Sequence, residues 1–424
     1  MDSSHLSLET IAKWLSGRLE HDEVRSQVVP HLLSLCPSCT RSYEEVLRLQ
    51  REMRHWDELI SVQESQEAHE LFESLTSTPF PEQLRRAEDD DSFHQWGLCQ
   101  LLLTKSKESL FEEPRRSLEL AELAARIARN LGDAYDRDWV RDLRARALAY
   151  VANALRVLGE LCGADAAFRA AEDCALRSGS GNTLVSAEIL DLKSSLRRDQ
   201  RRWAEALDLC SEAAVLYGEN ADGRGVAKAL FQKAGILFEA DEVEAAIDLW
   251  RAIPPLLAAD SDSDLVSGCR FNLLCCLVQA GRLGEAEELL PEVRSLIPAS
   301  SPTLKAVHLR WVEGRLDLAR GNVALAEVAF REAQNAFLDR RMAYDAALVA
   351  MDLAILFAQQ ERNSELKCLA LESMAVFESR QIHREAMATL LLFQEACRDE
   401  LLTVEMARQL ADLLRRDRRQ RPSV

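Results

Sequence analysis

The stretch "GADAAFRAAEDCA" at residues 163–175 returns in altered form as "NVALAEVAFREAQNAF" at residues 322–337. In both, an alanine is followed four residues later by a phenylalanine and three residues after that by a second alanine. Apolar residues with this spacing lie on one side of an α-helix, so each stretch predicts a helix with one apolar face. The return of the pattern also indicates that the chain is built from repeats.

The first alanine of this pattern, which we call the anchor, recurs along most of the chain. The anchors are Ala121, Ala164, Ala206, Ala246, Ala286, Ala326, Leu366 and Ala407. The intervals between successive anchors are 43, 42, 40, 40, 40, 40 and 41 residues. Four residues after the anchor, the middle repeats have Phe168, Cys210, Trp250, Leu290 and Phe330. Twelve residues before it, small residues occur at Ala152, Ser194, Ala234, Gly314 and Ala354. One such helical hairpin cannot bury its apolar face alone, so the pattern predicts a stack of hairpins, an α-solenoid.

The repeat resembles the tetratricopeptide repeat over roughly residues 93–418. This resemblance implies an all-α, right-handed α-solenoid of tetratricopeptide-like hairpins, in which the first helix of each hairpin lines a groove for partners. The period is near 40 residues rather than the usual 34, so we expect longer helices. HEAT and armadillo repeats match this period better, but they do not match the motif.

The resemblance also places groove residues by their offset from each anchor. They are Arg146, Asn153, Arg156, Arg198, Lys228, Phe231, Phe238, Phe271, His308, Trp311, Arg315, Met351 and Ile355. The first part of this set is basic and polar, and the second part is aromatic and apolar. Such a groove would suit a peptide with acidic residues at one end and apolar anchor residues at the other. Alternatively, Phe231, Phe271 and Trp311 belong to the core between repeats.

A second feature is the N-terminal stretch "VVPHLLSLCPSC". Cys36 and Cys39 are separated by two residues, which suits tetrahedral zinc because two thiolates can face one ion. A helical turn could bring His31 alongside, and either His5 or His21 could supply a fourth ligand. A thioredoxin-like redox pair is a further interpretation, although no βαβ pattern surrounds the cysteines.

The sequence around this stretch, from residue 5 to about residue 60, resembles the zinc-binding domain of bacterial anti-sigma factors. The matching elements are "WLSGRLEHDEV" and the histidine and cysteines that follow it. The resemblance implies one structural zinc ion held by His5, His31, Cys36 and Cys39, and a sigma factor as partner. The interval between His31 and Cys36 is one residue longer than in that family, and a metal-free relic of the fold is the alternative.

These features predict three parts, a zinc-binding helical domain at 1–60, a helical and acidic linker at 61–92 and the solenoid at 93–424. The net charge of −18 disfavours nucleic acid as a partner. No apolar run approaches the roughly 20 residues that span a bilayer, and the N-terminus does not resemble a signal peptide. The 11 cysteines show no disulfide-like spacing, so we expect a cytoplasmic protein.

The sequence contains no recognisable catalytic motif, neither a phosphate-binding glycine loop nor Gly-x-Ser-x-Gly nor His-Glu-x-x-His. We therefore expect a non-catalytic adaptor or regulator of bacterial origin that binds a protein or peptide in the solenoid groove. A peptide-sensing receptor and a subunit that recruits a separately encoded enzyme are the alternatives. The arginine-rich end "LLRRDRRQRP" is either a helix end whose cations complement the helix dipole or a docking tail for an acidic partner.

Overall fold

The computed structural model describes residues 67–132, 135–220, 222–257, 263–297, 303–378, 384–399 and 401–419. Throughout these ranges the chain forms helices, turns and short connections, and no residue in them is in a strand. This confirms the all-α prediction for the part of the chain that is described. The predicted zinc domain at residues 1–60 lies outside it.

Residues 67–76 are helical, and seventeen further α-helices follow within the described ranges. They are α1 (Phe80–Asp89), α2 (Trp96–Ser109), α3 (Pro114–Asn130), α4 (Arg137–Val157), α5 (Leu161–Leu176), α6 (Thr183–Asp199), α7 (Trp203–Glu219), α8 (Gly223–Glu239), α9 (Val243–Ala252), α10 (Ser263–Gln279), α11 (Leu283–Leu296), α12 (Leu304–Ala319), α13 (Val323–Asp339), α14 (Ala343–Gln359), α15 (Asn363–Glu378), α16 (Arg384–Arg398) and α17 (Val404–Arg419). Short 3-10 turns occupy Asp91–Phe93 and Pro254–Leu256.

From α4 to α15 the helices follow one another as hairpins, with an even-numbered first helix and an odd-numbered second helix. Helices α8, α13 and α14 each have 17 residues. Two helices of this length already account for 34 residues before any turn is added. Longer helices therefore account for the longer period where both helices of a hairpin are long. They do not account for it in the hairpin α8–α9, because α9 has only 10 residues.

The turn inside each hairpin has the same backbone conformation. One residue there has a positive φ, at Gly159, Arg201, Asp241, Gly281, Gly321 and Glu361. Glycine adopts this left-handed conformation freely, whereas other residues are strained in it by about 1–2 kcal/mol. The turn is thus kept even in the three hairpins that lack glycine at this position, which indicates that packing of the two helices imposes it.

The predicted anchors form the core of the hairpins. Every anchor from Ala121 to Ala407 is buried, as is each bulky residue four positions later from Phe168 to Phe330. The small residues twelve positions before the anchor are buried as well, and Gly314 shows why they are small. A Cβ atom at Gly314 would lie 2.7 Å from Cε1 of the Phe330 ring, so the two helices approach too closely for a side chain there. The motif is confirmed.

The described helices group into two units, and the boundary falls inside α6 between Leu196 and Arg197. In the first unit, Leu75, Ala87 and Phe93 are buried in one core with residues of α2 and α3. Most of the segment that we predict as a linker, from residue 67 onward, is thus packed against the first repeats and contributes to their core.

In the second unit, α14 is enclosed on all sides, because every residue from Asp345 to Phe357 is buried. Helix α17 packs directly against α14, and its Leu410 and Leu414 belong to the same core as Leu348 and Met351. The final pair of helices therefore departs from the repeat, since α17 returns to α14 instead of extending the stack.

No helix in the described ranges is long and apolar enough to cross a membrane.

Candidate functional site

Three consecutive first helices of the second unit present residues at equal offsets, 18, 15 and 11 residues before their anchors. We call these residues the first-helix face: Lys228, Phe231 and Gly235 on α8, Gly268, Phe271 and Cys275 on α10, and His308, Trp311 and Arg315 on α12. Six of the predicted groove residues belong to it. Phe238 lies on the same helix as Phe231, and its half-buried ring packs against the core of this unit.

Aromatic rings connect neighbouring helices along this face. The Phe231 ring lies over Gly268 of the next helix, where a Cβ atom would be 3.1 Å from Phe231 Cε2. The Phe271 ring contacts the His308 ring of the following helix with a centroid distance of 6.5 Å. In both cases the residue 15 positions before its anchor packs on the residue 18 positions before the anchor of the next repeat. The structure thus brings these predicted residues together in one continuous row.

Trp311 differs from the other rings of the row because it is only 9% exposed. Its indole Nε1–H donates a hydrogen bond to Asp352 Oδ2 on α14 at 2.7 Å, and its ring packs edge-on against Phe337. Arg315 Nε lies 3.9 Å from the same carboxylate oxygen of Asp352. This placement favours the core interpretation for Trp311. Phe231 and Phe271 are half-buried and remain partly accessible on the face.

In the first unit, the predicted groove residue Arg146 lies in a polar cluster that joins three first helices. Arg146 donates from Nε to Glu188 Oε2 on α6 at 2.7 Å and from Nη1 to Gln100 Oε1 on α2 at 3.3 Å. The Tyr150 hydroxyl donates to Glu188 Oε1 at 2.9 Å. The Arg146 and Glu188 side chains are each about three-quarters buried. The guanidinium is therefore engaged by the protein itself.

The electrostatics of this cluster follow from burial and from the charge pair. Burial alone would raise the pKa of the Glu188 carboxyl, but the charge and hydrogen bonds of Arg146 outweigh it and hold the pKa below its usual value. Burial also raises the pKa of the Tyr150 hydroxyl, and the Glu188 charge raises it further. The cluster thus consists of an ionised carboxylate, a guanidinium and a neutral phenol.

The other predicted positions are less accessible or lie elsewhere. Arg156 donates from Nε to Asn153 Oδ1 at 3.0 Å, and both side chains are buried. Arg198 lies at the end of α6 beside Asp199, with Nη2 3.2 Å from Oδ1. Met351 and Ile355 are buried in α14. Whether any of these residues contacts a partner stays a prediction.

The predicted zinc ligands His5, His31, Cys36 and Cys39 lie outside the described residues. Within the described ranges, no three histidine, cysteine or carboxylate side chains lie close enough together to hold a metal ion.

Sequence reasoning missed Glu188 and Asp352. Glu188 has the same offset from its anchor as Arg146, so the repeat alignment contained a signal for it. Asp352 lies one residue beyond the offset of Trp311, and only the structure reveals their contact.

The sequence matches no model of a known protein family and no curated protein. Solved structures show likeness of fold. Aspartyl phosphate phosphatase F from Bacillus subtilis is 10% identical with a TM-score of 0.54, covering 90% of this chain and 96% of that chain. The apo form of the quorum sensor NprR from B. thuringiensis is 13% identical with a TM-score of 0.50, covering 87% and 99%. A tetratricopeptide repeat protein from Parabacteroides merdae is 14% identical with a TM-score of 0.43, covering 70% and 98%. Together with the helical hairpins described above, the two likenesses with TM-scores of 0.54 and 0.50 support a fold of tetratricopeptide-like helical repeats.

Proposed function

We propose that this chain is a non-catalytic regulator that binds a protein or peptide through the first-helix face of its second unit. The observation that supports this most is the continuous row of half-buried rings and cations on α8, α10 and α12. Aromatic and arginine side chains contribute most to the binding energy of typical protein interfaces. One structure of similar fold is named a quorum sensor, and a sensing role for this chain agrees with that name.

The charge of this face favours an acidic ligand. Lys228 is cationic, whereas the chain as a whole has a net charge of −18. Arg315 is cationic too, but the Asp352 carboxylate 3.9 Å from its Nε offsets its charge. A cationic side chain beside apolar rings gives specificity for a ligand that carries a carboxylate, and it speeds association. The half-buried rings of Phe231 and Phe271 can lose their remaining contact with water when a ligand covers them, and this burial stabilises the complex.

Charge reversal in the first-helix face should weaken partner binding. In co-purification from the native host, we expect Lys228→Glu to reduce recovery of the partner about tenfold at physiological salt and by less at high salt, because salt screens this attraction. Arg340→Glu is the matched control, since Arg340 is exposed at the end of α13, a second helix. Equal losses in both variants, or none in either, would contradict the proposal. A co-purified peptide would favour the sensing alternative, and a co-purified enzyme the recruiting one.

A separate proposal concerns residues 1–60, and it rests on the resemblance and on the chemistry of the donor set. We propose that His5, His31, Cys36 and Cys39 hold one structural zinc ion and that this domain contacts a regulatory partner, with a sigma factor as the expected class. Purified protein should contain close to one zinc per chain, and the double substitution Cys36→Ser and Cys39→Ser should remove it. Wild-type protein prepared without chelator and free of zinc would disprove this proposal.

A further inference from the structure

The last two helices lack the packing motif of the earlier hairpins. In the hairpin α12–α13, Gly314 lies twelve residues before the anchor and against the ring of Phe330, four residues after the anchor. The corresponding residues of the last pair are Glu395 on α16 and Ala411 on α17. Glu395 is exposed, and Ala411 is buried in the core that α17 shares with α14. The side of α16 that carries Glu395 is therefore not covered by α17 in the way that α13 covers α12.

Two leucines on this side of α16 are left exposed. Leu391 lies sixteen residues before the anchor, an offset at which Leu148 and Leu230 pack against the cores of their own repeats. Leu391 is instead 44% exposed, and Leu392 beside it is 55% exposed. Residues three and four apart on a helix lie on one side, so Leu391, Leu392 and Glu395 form one surface, which we call the open side of α16.

The opposite side of α16 is packed as in the other repeats. Phe393 and Cys397 are buried in one core with Leu366 and Leu369 of α15. Helix α16 is thus held in the stack while its open side faces outward. A solenoid normally ends in a repeat with a polar outer surface, which keeps the chain soluble. Two adjacent exposed leucines depart from this rule, and in the earlier hairpins a helix covers the equivalent surface.

We infer that two copies of this chain associate through the open side of α16, each copy supplying the helix that the other lacks. The contact continues the packing of the repeat, because a helix covers the same offsets in the earlier hairpins. A second α16 suits this place because it has exposed leucines of its own. A two-fold axis brings Leu391 and Leu392 of both copies together, so one kind of contact buries both open sides at once. Burial of these leucine side chains stabilises the dimer.

Sedimentation equilibrium of the full-length chain at increasing concentrations tests this inference. The contact involves one helix of each copy and is small, so we expect dimers at high micromolar concentration that dissociate on dilution. The average mass should rise from one chain to two and no further, because a two-fold contact closes with two copies. A chain that is monomeric at all these concentrations would overturn the inference, and so would assemblies that grow beyond two copies.

Two double variants locate the contact. Leu391→Glu with Leu392→Glu should weaken association at least tenfold, because carboxylates of both copies would meet across the axis. Leu325→Glu with Val328→Glu is the matched control, since these side chains are also exposed, on the second helix α13, and the change in charge is the same. The control should associate as wild type does. Association that survives the change on α16, or that is lost equally in the control, would contradict the inference.

Leu391→Gln with Leu392→Gln guards against damage to α16 itself. It removes the apolar surface without adding charge, and both positions are exposed. The melting temperature of the dilute monomer should therefore stay unchanged while association weakens. A glutamine variant that associates as tightly as wild type would refute the proposed dimer. So would a wild-type chain that stays monomeric but needs these leucines to retain a different protein in co-purification, because the open side would then belong to that protein.

Discussion

Replacing Trp311 with alanine is expected to lower the free energy of unfolding by about 3–5 kcal/mol, the usual cost of deleting a large buried aromatic side chain. The Trp311 ring packs against Phe337 and lies in the core that α12 shares with α14. Its loss also leaves the buried carboxylate of Asp352 without the indole hydrogen bond. Chemical denaturation of the two proteins measures the difference.

Two comparisons separate ring packing from the hydrogen bond. Trp311→Phe keeps most of the ring volume and loses the N–H donor, so we expect a cost of about 1–2 kcal/mol. Trp139→Ala is the matched control, because Trp139 is 39% exposed at the start of α4 and should cost much less than Trp311→Ala. If Trp311→Ala and Trp139→Ala have equal effects, the buried placement of Trp311 is wrong and its side chain belongs to the accessible surface.

Replacing Arg146 with methionine is expected to destabilise the first unit by about 2–4 kcal/mol at neutral pH, because a largely buried carboxylate, Glu188, loses its counter-charge. The pKa of Glu188 is lowered in the folded state, so the pair contributes stability above the carboxyl's unfolded pKa. That contribution is lost as the pH falls through the lower folded pKa. The difference in unfolding free energy between wild type and variant should therefore be largest near pH 7 and shrink below about pH 4.

The control for this effect is an exposed pair in the same unit. Arg85 and Glu82 form a salt bridge on the surface of α1, with side chains 62% and 40% exposed. Arg85→Met should change stability by no more than about 0.5–1 kcal/mol, because solvent screens exposed pairs. An Arg146→Met variant as stable as Arg85→Met, or one whose destabilisation grows at low pH, would show that the Arg146–Glu188 pair does not stabilise the fold.

The repeat could be predicted from the sequence because its packing is local. The small anchor and the bulky residue one turn later make their contacts within their own hairpin and with the neighbouring one. The spacing alone therefore identifies the buried side of each helix. The position of α17 could not be predicted in this way. Ala407 follows the repeat interval and is buried as expected, but its helix packs against α14. An amphipathic stripe shows which side of a helix is buried and does not show which helix covers it.

The candidate site was predictable to a similar degree. Equal offsets correctly grouped Phe231, Phe271 and Trp311 into one row, but they could not rank the exposure of the three rings. The exposure of each ring depends on the first helix of the next repeat. Helix α10 presents Gly268 beneath Phe231, and α14 presents Asp352 beside Trp311. In the first unit, the offset of Arg146 from its anchor, together with its positive charge, suggested it as a contact for an acidic partner. The carboxylate of Glu188, one repeat later, already neutralises it.

The dependence of α14 on α17 has a consequence during synthesis of the chain. The ribosome completes α14 about 55 residues before it reaches Leu414, which at roughly 5–20 residues per second corresponds to about 3–11 seconds. For this time Leu348 and Met351, which share a core with Leu410 and Leu414, lack the part of their cover that α17 provides. Nascent chains therefore pass through a stage with an aggregation-prone surface that the finished protein hides, and a message truncated before α17 would produce chains that never leave that stage.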